Sequence, residues 1–263
     1  MSAGEELRAE NKNMPGAQQV KQTEFRTLMD YAKEIHRRYF HAISAFYAYE
    51  ALCEIAAPNI VGVSEANENI KVISNFKNFF LSAKEALRVY FFLELAKMFD
   101  SSDQALHINK VLNFTESNLK NLTVDAFKEY NQNRESSFLK ELAKEYRGMA
   151  YTDLIAIKDM ISAYKATLEK LDTYRDKWLA HDDINKPEIP SITGEEIKAL
   201  FEVLAKMLNS ITGRLNSESW TYSYIEDDVK DHTRLVIDYL RRFEPYRLKE
   251  IKEKYQKIRP PFR

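Results

Sequence analysis

From Thr23 onward, large apolar side chains return every three or four residues. Phe25, Leu28, Met29, Ala32, Ile35, Tyr39, Ile43, Phe46, Leu52 and Ile55 lie on one stripe. They predict an amphipathic helix ending near Pro58, with a turn over 59–62. A second stripe, from Ile70 through Phe80, Leu87 and Phe91 to Met98, predicts one helix from Ser64 to Asp100, about 50 Å long. Shorter helices are expected over 104–147, with Thr123 as an N-cap and Gly148 as the stop. Leu154, Ile157, Ile161, Leu168, Leu171, Tyr174 and Trp178 mark a third long helix over about 150–181, which Pro187 and Pro190 forbid from continuing. Thr193-Gly-Glu-Glu196 reads as a capping box opening a fourth helix through Ile211. A loop with Trp220 follows, then a C-terminal helix through Val229, Leu235 and Tyr239. With no repeat, sustained heptad or strand period, the fold class is all-α, an antiparallel bundle of long helices with N- and C-terminal helical extensions.

Composition agrees. Gly (6) and Pro (7) are scarce in 263 residues while 30% are charged, the balance of long helices rather than sheets. Residues 1–20 carry few large apolar side chains and read as a disordered tail; 21–263 reads as one domain. A net charge of −1 means that any nucleic-acid contact needs a local patch. The single Cys53 excludes an internal disulfide. The polar N-terminus is no secretory signal, and the richest apolar run, VYFFLELAKMF, is too short to span a bilayer. A soluble cytoplasmic protein is expected.

Chemistry is sparse. Asp103/His107, Asp228/His232 and Glu50/Glu54 share helix faces, but no set has metal-site spacing, so neither metal nor cofactor is expected. EIHRRYFH (Glu34–His41) could touch a phosphate backbone or a partner, but the favoured reading is a polar helix face with Tyr39 or Phe40 turned inward. The basic C-terminal helix, about 226–263, carries nine cations against three acids from Arg241 on, a patch that could hold RNA with tyrosines as stacking partners or equally be a solvated terminal helix. Lys177, Arg241, Arg242 and Arg247 are the candidate RNA-binding cations.

The remaining candidate is TYRDKWLAHDD (Thr173–Asp183). An arginine followed by a histidine after four to six residues arises about once by chance in a chain with 15 Arg and 5 His, so spacing decides nothing. If 175–181 is α-helical, the two side chains differ by about 240° and 9 Å. They then converge better between two copies across a two-fold axis than within one chain.

RDKWLAHDD resembles the R-polar-x(3–5)-H signature of the HEPN superfamily (higher eukaryotes and prokaryotes nucleotide-binding domains), in a form similar to its AbiU-like abortive-infection branch. The upstream RVYFFLELAKMFDSSDQALHINKVLNF, a long helix closing in an L-x-K-x-F-D element, resembles the same branch. The resemblance spans roughly 65–215. It implies metal-independent RNA cleavage at a homodimer interface, by a toxin or phage-defence effector, leaving 2′,3′-cyclic phosphate ends. Carried over by position, Arg175 braces the phosphate, His181 is the acid/base and Asp176 orients. RNA, a second copy of the chain meeting it through the 150–181 and 195–214 helices, and a protein antitoxin are the implied partners. Asp183 stands where some HEPN toxins carry a tyrosine modified by their antitoxin. Asp182 and Asp183 either raise the His181 pKa or repel RNA.

A competing reading needs no catalysis. Lys177 and His181 suit the negative end of a helix, and Arg175 can pair with Asp172 or Asp176. The same surface then serves a non-catalytic binding or dimerisation module.

Overall fold

The structure, a computed structural model, describes residues 23–102, 104–179, 188 and 190–258. The expected N-terminal tail lies outside them, as do Asp103, His181, Asp182 and Asp183. Every regular element among the described residues is a helix, and no strand occurs among them. The all-α architecture is therefore as expected.

Helix α1 (Glu24–Glu54) is the axis of the fold. The Thr23 hydroxyl accepts from the Arg26 N–H and starts it. Its predicted stripe is buried from Phe25 to Phe46, with Ile55 just past its end. Two long helices lie antiparallel to α1, α4 (Lys77–Phe99) and α11 (Ile225–Ile258), while α10 (Gly194–Asn216) also packs on it. Each Leu, Ile or Phe removed from water here contributes about 1.5–3 kcal/mol. Thr193 and Glu196 form the expected capping box, each side chain bonding the other's backbone N–H at 3.1 and 2.8 Å.

Two helices expected to be continuous are broken. The 64–100 stretch divides at Phe76 into α3 (Val63–Asn75), which follows the one-turn α2 (Pro58–Val61), and α4. No Pro or Gly marks the break. Tertiary contacts explain it: Asn75 donates to Glu244 at 2.9 Å, and Phe76 packs with Phe80, Ile55 and Ile237 in a small second core beneath α11. The 150–181 stretch divides at Tyr164 into α8 (Tyr151–Ser162) and α9 (Lys165–Tyr174), ending in a π-helical turn over Arg175–Leu179. α8 packs on α5 (Ile108–Asn118) and α10, whereas α9 and the π turn pack on α4. One straight rod could not reach both surfaces.

Short helices fill the interval between. A 3-10 turn (Leu119–Asn121), α6 (Val124–Tyr130) and α7 (Ser136–Glu145) follow α5, with Thr123 capping α6 as expected. α10 buries eleven of its residues in the core.

Polar pairing locks the hub. Arg38 of α1 donates from Nε to Glu94 of α4 at 2.9 Å and from Nη1 to the Leu106 carbonyl at 2.8 Å, and both side chains of the pair are only 14% exposed. Replacing Glu94 by Ala strands a nearly buried guanidinium, which should lower unfolding free energy by about 3 kcal/mol. Urea denaturation followed by circular dichroism checks this, and a loss under about 1 kcal/mol would match a surface pair instead.

Candidate functional site

At the end of α9, Arg175 meets Asp172, Asp176 and Asp100. Tyr174 is buried and tilts against Phe92 of α4, ring centroids 4.7 Å apart. Arg88, one turn earlier on α4, donates to the Tyr174 hydroxyl and is itself held by Glu85 at 2.6 Å. Tyr174 thus anchors the helix immediately before the π turn begins.

Arg175 is the first residue of that turn. Its Nε–H donates to Asp176 Oδ1 at 2.7 Å. Its Nη1 is buried and sits 3.5 Å from both Asp172 and Asp100, an ionic contact without hydrogen-bond geometry. Asp100 caps the C-terminal end of α4, so the L-x-K-x-F-D element and the R-polar element, far apart in sequence, touch here. The Arg175 side chain is 20% exposed. The Asp176 hydrogen bond and three flanking carboxylates hold its guanidinium firmly in the charged form. Asp172, still half open to solvent, has its carboxyl raised above the ordinary range by the water it does lose and by Asp176 and Asp100, against the pull of Arg175. Lys177 is exposed on the same turn.

The π turn changes the geometry assumed for the motif. A turn closed by i→i+5 bonds holds more residues than an α turn, so over Arg175–Leu179 each residue is rotated by less than the 100° per residue behind the 240° expectation. His181 lies outside the described residues.

The other candidates have settled partners. Arg241 reaches Glu68 of α3 at 3.1 Å and Asp238 at 2.5 Å; Arg247 forks onto Glu244 at 2.7 Å through two nitrogens. Arg242 is exposed, its guanidinium 5.9 Å from the Tyr239 ring centre. These cations ride on α11, packed on α1 and α3, whereas Lys177 rides on a turn packed on α4. Glu50 and Glu54, paired in the sequence as possible ligands, both hold Lys230 of α11, at 3.1 and 2.7 Å; Glu226 adds a third contact at 2.9 Å. His107 caps α5: its Nδ1 accepts from the Lys110 N–H at 3.2 Å and its Nε2 bonds the Ser102 carbonyl at 3.0 Å. His232 lies 3.6 Å from Asp228 on the exposed face of α11. Cys53 is half-buried.

The HEPN family model described as AbiU2 matches residues 24–236. The chain belongs to the HEPN AbiU2 family. That places it in the abortive-infection branch of the HEPN superfamily. The match starts at α1 and runs into α11, so the HEPN AbiU2 domain is wider than the 65–215 span of the sequence resemblance, and α1 is part of it. No curated protein and no solved structure gives a match. No helix among the described residues is long and apolar enough to cross a membrane.

Two parts of this domain escaped sequence reading. Asp100 became a neighbour of Arg175 only through the packing of α9 on α4. EIHRRYFH, read as a polar face with Tyr39 or Phe40 turned inward, divides as that reading expects: Tyr39 is in the core and Arg37 is exposed with Glu34. His36, however, stacks on Trp220 at 3.8 Å and bonds the Tyr222 hydroxyl through Nδ1 at 2.8 Å.

Burial lowers the His36 pKa below its ordinary 6.5. Its neutral ring is favoured by folding, so that stability is complete above about 6.5 and is lost as pH falls through the lowered value. His36→Gln should flatten this part of the stability–pH profile. Urea midpoints of both proteins between pH 7.5 and 5, with Trp fluorescence as the probe, check it; parallel profiles would contradict it.

Proposed function

We propose that this HEPN AbiU2 protein is a metal-independent endoribonuclease that acts as an abortive-infection effector. The observation carrying the reading is the Arg175 arrangement: a guanidinium oriented by Asp176 through Nε and partly open to solvent, on a π turn. Fixed donors of this kind suit the non-bridging oxygens of a phosphate as negative charge grows on them. In the proposed step the RNA 2′-oxygen forms a bond to phosphorus while the bond to the 5′-oxygen breaks. His181 takes the 2′-hydroxyl proton or supplies one to the leaving oxygen. The products are a 2′,3′-cyclic phosphate and a 5′-hydroxyl.

The proposed site is completed by a second copy of the chain. Supporting this, the outer face of α4 carries a shallow, mostly apolar groove of about 730 Å³ lined by Leu81, Ala86, Val89, Tyr90 and Leu93. It lies on the helix that grips Tyr174 and Arg175, so a copy seated there brings a second motif into reach. Lys177 and Arg242 are the exposed cations assigned to RNA, and a protein antitoxin remains the proposed regulator.

A second reading is a non-catalytic binding module, favoured by one observation. Asp100, Asp172 and Asp176 together outweigh the single charge of Arg175, which opposes the approach of a phosphate.

Purified wild-type protein with chelator should fragment RNA to cyclic-phosphate ends. His181→Ala and Arg175→Ala should each lose about 10²–10⁴-fold in rate. Mixing the two dead variants under subunit exchange should restore about a quarter of the activity if each site takes its arginine from one copy and its histidine from the other. Equal action of wild type and His181→Ala would sink the nuclease reading in favour of the binding module. Absence of rescue would confine the site to one chain.

A further inference from the structure

We infer that Asp100 is a positioning residue for Arg175, and that α4 is the rail setting the orientation of the motif turn; this rests on the nuclease reading above.

The geometry points to two grips on consecutive residues. Tyr174 is drawn to Arg88 and Phe92, and Arg175 to Asp100 at 3.5 Å. Arg88 and Asp100 are twelve residues apart, about 18 Å along an α-helix. Tyr174 and Arg175 therefore splay in opposite directions along α4. A helix end held at two such separated points cannot rotate about its own axis. Where a π turn replaces the regular α ladder, that constraint supplies the orientation the backbone pattern does not.

The division of labour around the guanidinium follows. Asp176 makes the directional bond to Nε at 2.7 Å. Asp100 and Asp172 each lie 3.5 Å from Nη1. Asp172 moves with the same helix as Arg175 and cannot fix it relative to the body. Of the three carboxylates, Asp100 alone comes from another element. Its own rotamer is set, because Oδ1 accepts the Ser101 N–H at 2.7 Å. Asp100 is thus the point where the arginine is referenced to the rest of the domain. It acts through Arg175 and need not touch RNA.

The test uses the full chain with a defined RNA oligonucleotide and chelator, comparing Asp100→Asn, Asp100→Glu, Asp100→Ala and His181→Ala with wild type. Displacing a transition-state donor by a fraction of an ångström should lower kcat about ten- to a hundredfold with KM nearly unchanged. Asp100→Asn and Asp100→Ala should show this loss, and Asp100→Glu should recover part of it. Thermal midpoints are measured alongside, and the inference stands only if Asp100→Asn loses kcat while keeping its midpoint. A working nuclease whose kcat is unchanged in Asp100→Asn would overturn the inference alone. So would losses in kcat that follow the midpoints across all three substitutions, because that pattern belongs to a fold-stabilising contact. If wild type and His181→Ala act alike, the nuclease reading falls and this inference falls with it.

Discussion

The fold depends on α1 being apolar over more than one narrow stripe. Its buried residues run from Phe25 to Ala51, and α4, α10 and α11 all find surface on it. A helix that must bury so much of its circumference cannot sit at the edge of a bundle. It takes the centre, and the other long helices are arranged by what they cover on it. The Arg38–Glu94 pair converts this non-directional packing into a register, because two nearly buried charges tolerate only one alignment of α1 against α4. That register sets where α4 ends, and therefore where Asp100 stands when α9 arrives.

Two cation–carboxylate clusters show how similar chemistry serves different ends. At Lys230, three glutamates surround an ammonium whose side chain is 10% exposed, with Lys198 and Arg234 sharing the carboxylates. Contributions from α1, α10 and α11 close the network, and it binds helices together. At Arg175, three aspartates surround a guanidinium that is twice as exposed and lies on an irregular turn. Only one of the three comes from another element. The first cluster is a fastener between helices; the second orients one side chain at the surface. An arginine suits the second task because its planar fork can bond an acid on one edge while presenting another.

On the basic C-terminal helix, a charge count along the sequence leaves out partners supplied by other helices. Its arginines look like a free cationic patch until the partners from α3 and from its own preceding turns are placed beside them. Arg241 and Arg247 are occupied by Glu68, Asp238 and Glu244, and Arg242 keeps the exposed position. In the sequence the acids of α11 are visible, but Glu68 is more than 170 residues away. The same distance in sequence hid Lys230 from Glu50 and Glu54, which looked like a pair awaiting a ligand.

Local information was sufficient wherever the cause is local. The 3.6-residue stripes of α1 and α10 and the caps at Thr123 and Thr193 are written within a few neighbouring residues, as are the motif residues Arg175 and Asp176. The breaks at Phe76 and Tyr164 were not legible, because no Gly or Pro forces them; each appears where one segment must pack on two surfaces of different direction. The meeting of Asp100 with Arg175 was hidden for the same reason, since neither residue has any local reason to prefer the other. The sequence by itself determined the helices, their buried faces and the motif; the tertiary structure decided where helices bend and which acid faces which base, because both follow from packing between segments remote along the chain.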